Sequence, residues 1–136
     1  MVRSILAVIV GIVIGSLVNG ALINLGHVVI PPPEGSDVTT MEGIKAAIQH
    51  FELRHFIFPF LAHAAGPLVG TFLTTWIVLR NKTNFAVGMG AFFLLGGIIA
   101  SILIPAPLWF KAVDLIFAYV PMAYIGGRLG GAFRGN

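Results

Sequence analysis

Only a few side chains in this sequence combine reactive chemistry with a position inside an apolar run, and those few share a depth. His63 stands in the stretch HFIFPFLAHAAGPLVGTFLTTWIVL (55–79), and Asp114 follows Trp109 in the last apolar stretch. With that second run starting near Ile57, His63 lies about six residues in, ~9 Å at a rise of ~1.5 Å per residue. Asp114 lies about five residues past Trp109, or ~7 Å below the same surface. Asn24 and His27 close the first apolar run at that surface, and Ser101 approaches it from the third. An ionisable group within a membrane is costly and usually faces a cavity or a pathway. Histidine is suited there to relaying protons, binding a metal or holding an anion, and a nearby carboxylate stabilises its charged form. The five residues His63, Asp114, Asn24, His27 and Ser101 are therefore the candidate ligand or proton site.

Two quieter arrangements compete with that reading. Lys111 precedes Asp114 by three residues, a helical spacing at which the two groups pair and snorkel outward together. His63 is also satisfied as a neutral ring bonded to Asn19, Asn24 or a backbone carbonyl. Other chemistries find little support. No His-x-x-x-His or His-Glu-x-x-His pair is present to hold zinc. His50, His55 and His63 have no further ligand grouping between them. Haem ligation by His27 and His63 is geometrically conceivable in a four-helix bundle, with no motif to support it. Ser101 sits in no nucleophile elbow, and no glycine-rich loop follows a strand to cradle phosphate. No catalytic residue, metal or cofactor is assigned on this basis.

The elements that must position these residues follow from composition. Hydrophobic residues make up 57% of the 136 and charged residues 10%, against roughly 45–50% and ~25% in ordinary globular chains. A soluble domain of this size needs a charged surface that this chain cannot make, so it is read as a membrane protein. The eight basic residues, which give a net charge of +3, are scattered. That pattern excludes the dense basic footprint of a nucleic-acid binder. The absence of cysteine removes disulfides, thiolate metal sites and thiol nucleophiles.

The expected fold is all-α: a four-transmembrane-helix bundle with a short amphipathic helix in the first outer loop. Spans fall at about 4–30, 57–79, 85–104 and 109–126, with an outer segment at 31–56. The central run 57–79 spans ~34 Å, enough for the ~30 Å hydrocarbon layer with some tilt. It is the element around which the rest is organised, with Pro59, His63, Gly66, Gly70 and Thr74 on one stripe and Phe60, Leu61, Leu68, Phe72 and Ile77 largely elsewhere. The first run is about twice the ~7–15 residues of a cleavable signal, so it is read as an uncleaved span. Gly11, Gly15, Ser16, Asn19, Gly20, Asn24 and His27 form its inward side. Small residues let helices approach closely in lipid, which makes Gly11, Gly15, Gly66, Gly70, Gly90 and Gly97 the expected packing positions.

Pro31-Pro32-Pro33 ends the first span, since consecutive prolines supply no amide donors. The segment after it holds Glu34, Asp37, Glu42 and Glu52, four of the five acidic residues. Thr39 to Glu42 has capping-box spacing, and Met41, Ile44, Ile48 and Phe51 then recur at helical intervals. Pro105 and Pro107 end the third span, and Pro121 is expected to kink the fourth. Gly126, Gly127, Gly130 and Gly131 are read as fraying the last helix into a basic tail with Arg128 and Arg134. An even number of spans puts both termini on one side. With the termini cytoplasmic, Arg3, Arg80, Lys82, Arg128 and Arg134 lie inside and Lys45, Arg54 and Lys111 outside, as the positive-inside rule prefers.

The stretch PPPEG (31–35), the run Ala62-His63-Ala64-Ala65-Gly66 and the linker IPAPLWF (104–110) together resemble an uncharacterised group of small four-span bacterial inner-membrane proteins. The resemblance implies a bacterial inner-membrane location and carries no activity or substrate. Three function classes follow: a non-enzymatic membrane module or accessory subunit, a small transporter or channel using the polar cluster, and an intramembrane enzyme acting on a lipid or other apolar substrate. The expected partners are the lipid bilayer and a homo-oligomer or larger membrane complex.

Overall fold

The computed structural model describes residues 1–133, and they form an all-helical bundle with four helical stretches long and apolar enough to cross a membrane. The first is α1 (Val2–Val29). A short helix α2 (Met41–Ala47) follows, with 3₁₀ turns at Ile48–His50 and Leu53–Phe56, and then α3 (Ile57–Ile77) and α4 (Lys82–Leu103). The last crossing is made in two pieces, α5 (Leu108–Phe117) and α6 (Val120–Leu129).

Helix α3 is the centre of the bundle, packed against α1, α4 and α6. One face carries Gly66, Gly70 and Thr74 and meets Ala7, Gly11 and Gly15 of α1, all of them buried. The backbones nearly touch: a methyl group added at Gly70 would stand 2.7 Å from the Gly11 carbonyl, and one at Gly15 would stand 2.7 Å from the Gly66 carbonyl. The Thr74 hydroxyl is buried in the seam, within 2.9 Å of its own helix at Gly70 O and 3.2 Å of Ala7 O across it. A second buried face of α3 carries Ala64, Pro67, Thr71 and Thr75. This face meets the glycines of α6, where Gly126 lies against the Leu68 backbone and Gly130 against Thr75. Leu68 and Phe60, expected largely off the packing stripe, are nonetheless partly covered, and Phe60 packs on both hydrophobic clusters. Lipid is left to side chains such as Leu61 and Trp76.

The expectation that the last helix frays at Gly126 and Gly127 is overturned, while Gly130 and Gly131 do lie at and beyond its end. Helix α6 continues to Leu129, and Gly126, Gly127 and Gly130 are buried contacts at which no side chain fits. Arg134 lies outside the described residues. The α6 C-terminus is closed by Lys82, whose Nζ donates to Gly130 O at 2.9 Å. Arg3 does the same for α3, its Nε donating to Ile77 O at 2.7 Å. Cations at carbonyl-rich helix ends are favourable electrostatically, so both residues tie the start of one helix to the end of another.

In the outer segment the N-cap of α2 is Thr40 rather than Thr39: its hydroxyl accepts from Gly43 N at 3.0 Å. Thr39 instead serves Asp37, donating its hydroxyl at 2.6 Å and its amide at 2.8 Å. Those bonds, the hydroxyl first, hold the Asp37 carboxyl below its ordinary value. His55 staples the segment to the bundle. Its Nδ1 accepts from the Glu52 amide at 2.9 Å, so Nε2 carries the proton that reaches Pro31 O at 3.2 Å. Phe56 then stacks among Phe51, Trp109 and Phe110, with centroids 4.7–5.8 Å apart. The segment is thereby laid over the bundle mouth.

Candidate functional site

The site begins with two prolines. Pro67 has no N–H to offer the carbonyl four residues back, which is that of His63. Pro121 withholds the same bond from Phe117, and the last crossing breaks at Ala118-Tyr119. That break brings Tyr119 into the interior, where it is 4% exposed. Its ring stacks on the His63 imidazole at 5.8 Å.

His63 and Asp114, fifty-one residues apart, meet there. The imidazole Nδ1 lies 2.9 and 2.8 Å from the two carboxylate oxygens of Asp114. A carboxylate offers only acceptors when ionised, so Nδ1 carries the proton and Nε2 is left free to face elsewhere. The Tyr119 hydroxyl donates to Asp114 Oδ2 at 3.3 Å. Asp114 is 5% exposed, and a buried charge needs this kind of pairing. Charge-assisted bonds of ~2.7–2.9 Å are among the stronger polar contacts, and both carboxylate oxygens of Asp114 lie within that reach of the His63 ring.

The pair forms the floor of a cavity of about 190 Å³. Ile44, Ile48 and Phe51 of the outer segment roof it, so the apolar face of α2 covers the site rather than the bilayer surface. Met41, the first residue of that periodic set, is exposed instead. Gly97, Ala100 and Ser101 of α4 form one wall, and His27 and Ile23 of α1 another. Below the floor the bundle is sealed by Met89, Phe93, Ala118 and Tyr119.

Four of the five candidate residues are thus brought together, and one is not. Asn24 is exposed and donates to Gly20 O within its own helix at 2.8 Å, where it has no view of the cavity. Ser16 is likewise exposed, and a methyl at Gly20 would touch nothing, so the inward side of α1 is narrower than expected. The inward residues recur as Ala7, Gly11, Gly15 and, at the outer end, Gly26 against Phe58. Ser101 lines the cavity but donates to Ile98 O at 2.8 Å. Neither quiet arrangement holds: Asp114 pairs with His63 rather than Lys111, and His63 with Asp114 rather than an asparagine.

Lys111 also lines the cavity, half-buried, and makes no ion pair or side-chain hydrogen bond among the described residues. Sequence reasoning did not place Tyr119 or Lys111 in the site. Tyr119 carries a faint signal, a polar-tipped aromatic two residues before a proline within a span. Of the six glycines expected at helix contacts, Gly11, Gly15, Gly66 and Gly70 form the α1–α3 seam. Gly97 lies against the Tyr119 ring, and a methyl group added at Gly90 would stand 3.1 Å from the Ala123 side chain. No family model, curated protein or solved structure matches this chain.

Proposed function

We propose that the chain is a non-enzymatic membrane module whose outer cavity binds a small amphiphile with an anionic end. The observation that carries this reading is the His63–Asp114 pair at 2.8 Å on the floor of an otherwise largely apolar cavity. His63 and Asp114 are engaged with each other, and Lys111 remains as a cation that makes no ion pair among the described residues. A carboxylate or phosphate supplies a counterion. The cavity of about 190 Å³ has roughly the volume of six liquid water molecules. It accommodates a short chain, or the end of a longer one. A transporter reading requires Met89, Phe93 and Tyr119 to part, and an enzyme reading lacks a nucleophile bonded to His63, because Ser101 is turned to Ile98 O.

Octanoate tests this binding, with octylamine as the control of opposite charge. A ligand that binds only the folded state raises stability as RT ln(1 + [L]/Kd). Octanoate should raise the melting temperature of the detergent-solubilised protein, and octylamine should not. Lys111→Gln and Ser101→Phe, which removes the cation or fills the cavity, should each abolish the shift. Equal shifts from the two probes, or an undiminished shift in Lys111→Gln, would overturn the assignment.

The same reading places the protein in a bacterial inner membrane with both termini cytoplasmic and α2 outside, supported by the bias of basic residues toward the terminal side. Single cysteines at Glu34 and Asn84, both exposed, report it through an impermeant maleimide. Glu34→Cys should label in intact cells and Asn84→Cys only after lysis. The reverse pattern would invert the topology.

A further inference from the structure

The end of the bundle opposite the cavity carries a cleft of about 680 Å³ between the first turns of α1 and the α3–α4 turn. Arg3 and Arg80 line it, and Ile5, Ile9, Leu79 and Phe85 supply apolar walls. We infer that this cleft binds an anionic phospholipid, with the phosphate on the two guanidinium groups and an acyl chain along the apolar wall.

The argument starts from charge. All five acidic residues of the chain, Glu34, Asp37, Glu42, Glu52 and Asp114, belong to the outer segment or to the cavity beside it. The cleft end therefore holds Arg3, Arg80, Lys82 and Arg128 with no carboxylate side chain to balance them. Lys82 is engaged by the Gly130 carbonyl. Arg3 is fixed by one nitrogen, Nε on Ile77 O, and its two terminal amino groups remain as a planar fork. Arg80 is exposed and has no ion pair or side-chain hydrogen bond among the described residues. Guanidinium forks match phosphate oxygens two at a time.

The surroundings decide which phosphate. Ile5 is 55% exposed, Ile9 51% and Leu79 70%, an apolar surface running from the arginines into the hydrocarbon layer. A free phosphate ion has no use for that wall, whereas a diacyl phospholipid covers it while presenting its head group to the arginines. Basic pockets between transmembrane helices are suited to this kind of head group.

Lipid retention tests the assignment. The protein is stripped in a neutral detergent, then offered dioleoyl phosphatidylglycerol, dioleoyl phosphatidylcholine or inorganic phosphate, and bound lipid is counted by native mass spectrometry. Phosphatidylglycerol should be retained and phosphatidylcholine lost. Millimolar inorganic phosphate should fail to displace the retained lipid. Arg80→Gln should weaken retention about fivefold, the contribution expected of one cation near a charged head group. Arg128→Gln, at the same end but outside the cleft, should leave it unchanged. Ile9→Trp provides a second variant, blocking the apolar wall while keeping both arginines. Equal retention of the two lipids, displacement by free phosphate, or equal losses in Arg80→Gln and Arg128→Gln would each overturn the proposal.

Discussion

Gly70→Ala should lower the thermal stability of the protein sharply, while Gly96→Ala in the neighbouring helix leaves it unchanged. The two substitutions add the same methyl group to the middle of a transmembrane helix, so helix propensity favours both equally. They differ in what the methyl meets. At Gly70 it would stand 2.7 Å from the Gly11 carbonyl and 2.8 Å from the Phe93 ring, whereas at Gly96 nothing lies within 4 Å. Backbone cannot yield as a flexible side chain does, so α1 must move away from α3 and lengthen the Thr74 bond to Ala7 O. Overpacking of this kind costs ~1–3 kcal/mol, and leucine at Gly70 should prevent assembly altogether. Phe72→Leu, on a half-covered face, should be mild by comparison. Unfolding followed by size-exclusion chromatography after heating separates these outcomes. Parent-like melting of Gly70→Ala would mean that the α1–α3 seam is looser than a glycine contact.

The other large effect belongs to the buried pair. His63→Ala leaves the buried Asp114 carboxylate with the Tyr119 hydroxyl, 3.3 Å away, as its one remaining side-chain hydrogen-bond partner among the described residues. Removing one partner of a buried ion pair costs ~3–5 kcal/mol because the other charge is stranded, whereas removing both costs much less. The His63→Ala/Asp114→Ala double variant should therefore be more stable than His63→Ala alone. Asp114→Asn, which keeps the shape and cancels the charge, should fall between parent and His63→Ala. A double-mutant cycle on melting midpoints measures the coupling directly. Additive losses would show that the two groups do not depend on each other. Octanoate binding, measured on the same variants, separates a site that holds the pair for stability from one that uses it for a ligand. Binding lost in Asp114→Asn at near-parental stability identifies the second.

Much of this was legible in the sequence, and the reasons for the misses are physical. The spans were readable because twenty apolar residues in a row have few other uses. His63 and Asp114 were readable because depth follows from counting along a helix. Which way a residue points around that helix was harder. Asn24 was grouped with the inward residues by its polarity, but it satisfies its donor on Gly20 O and so needs no neighbour. The late glycines suggest a frayed end in the sequence because glycine is a poor helix former in isolation. In the bundle the same lack of a side chain lets Gly126 and Gly130 press against α3. Tyr119 was missed because Pro121 was read as a bend within one helix. The full break changes the register and turns Tyr119 inward.

The central position of α3 bears on how the protein enters the bilayer. The stretches Leu53–Ile77 and Leu108–Leu129 have mean hydropathies of 1.6 and 1.4, whereas those of α1 and α4 are 2.5 and 2.2. The less apolar crossings carry the prolines, threonines, His63 and Asp114, and each of these groups is cheaper beside protein than beside lipid. During synthesis α1 and α4 partition readily by themselves, but α3 emerges with its imidazole and hydroxyls unaccompanied and its glycine seam empty. Its natural companion is already in the membrane, because α1 precedes it and offers the matching glycines. The crossing Leu108–Leu129 supplies the carboxylate that pairs with His63, so the polar group of α3 is satisfied only once that crossing has packed against it.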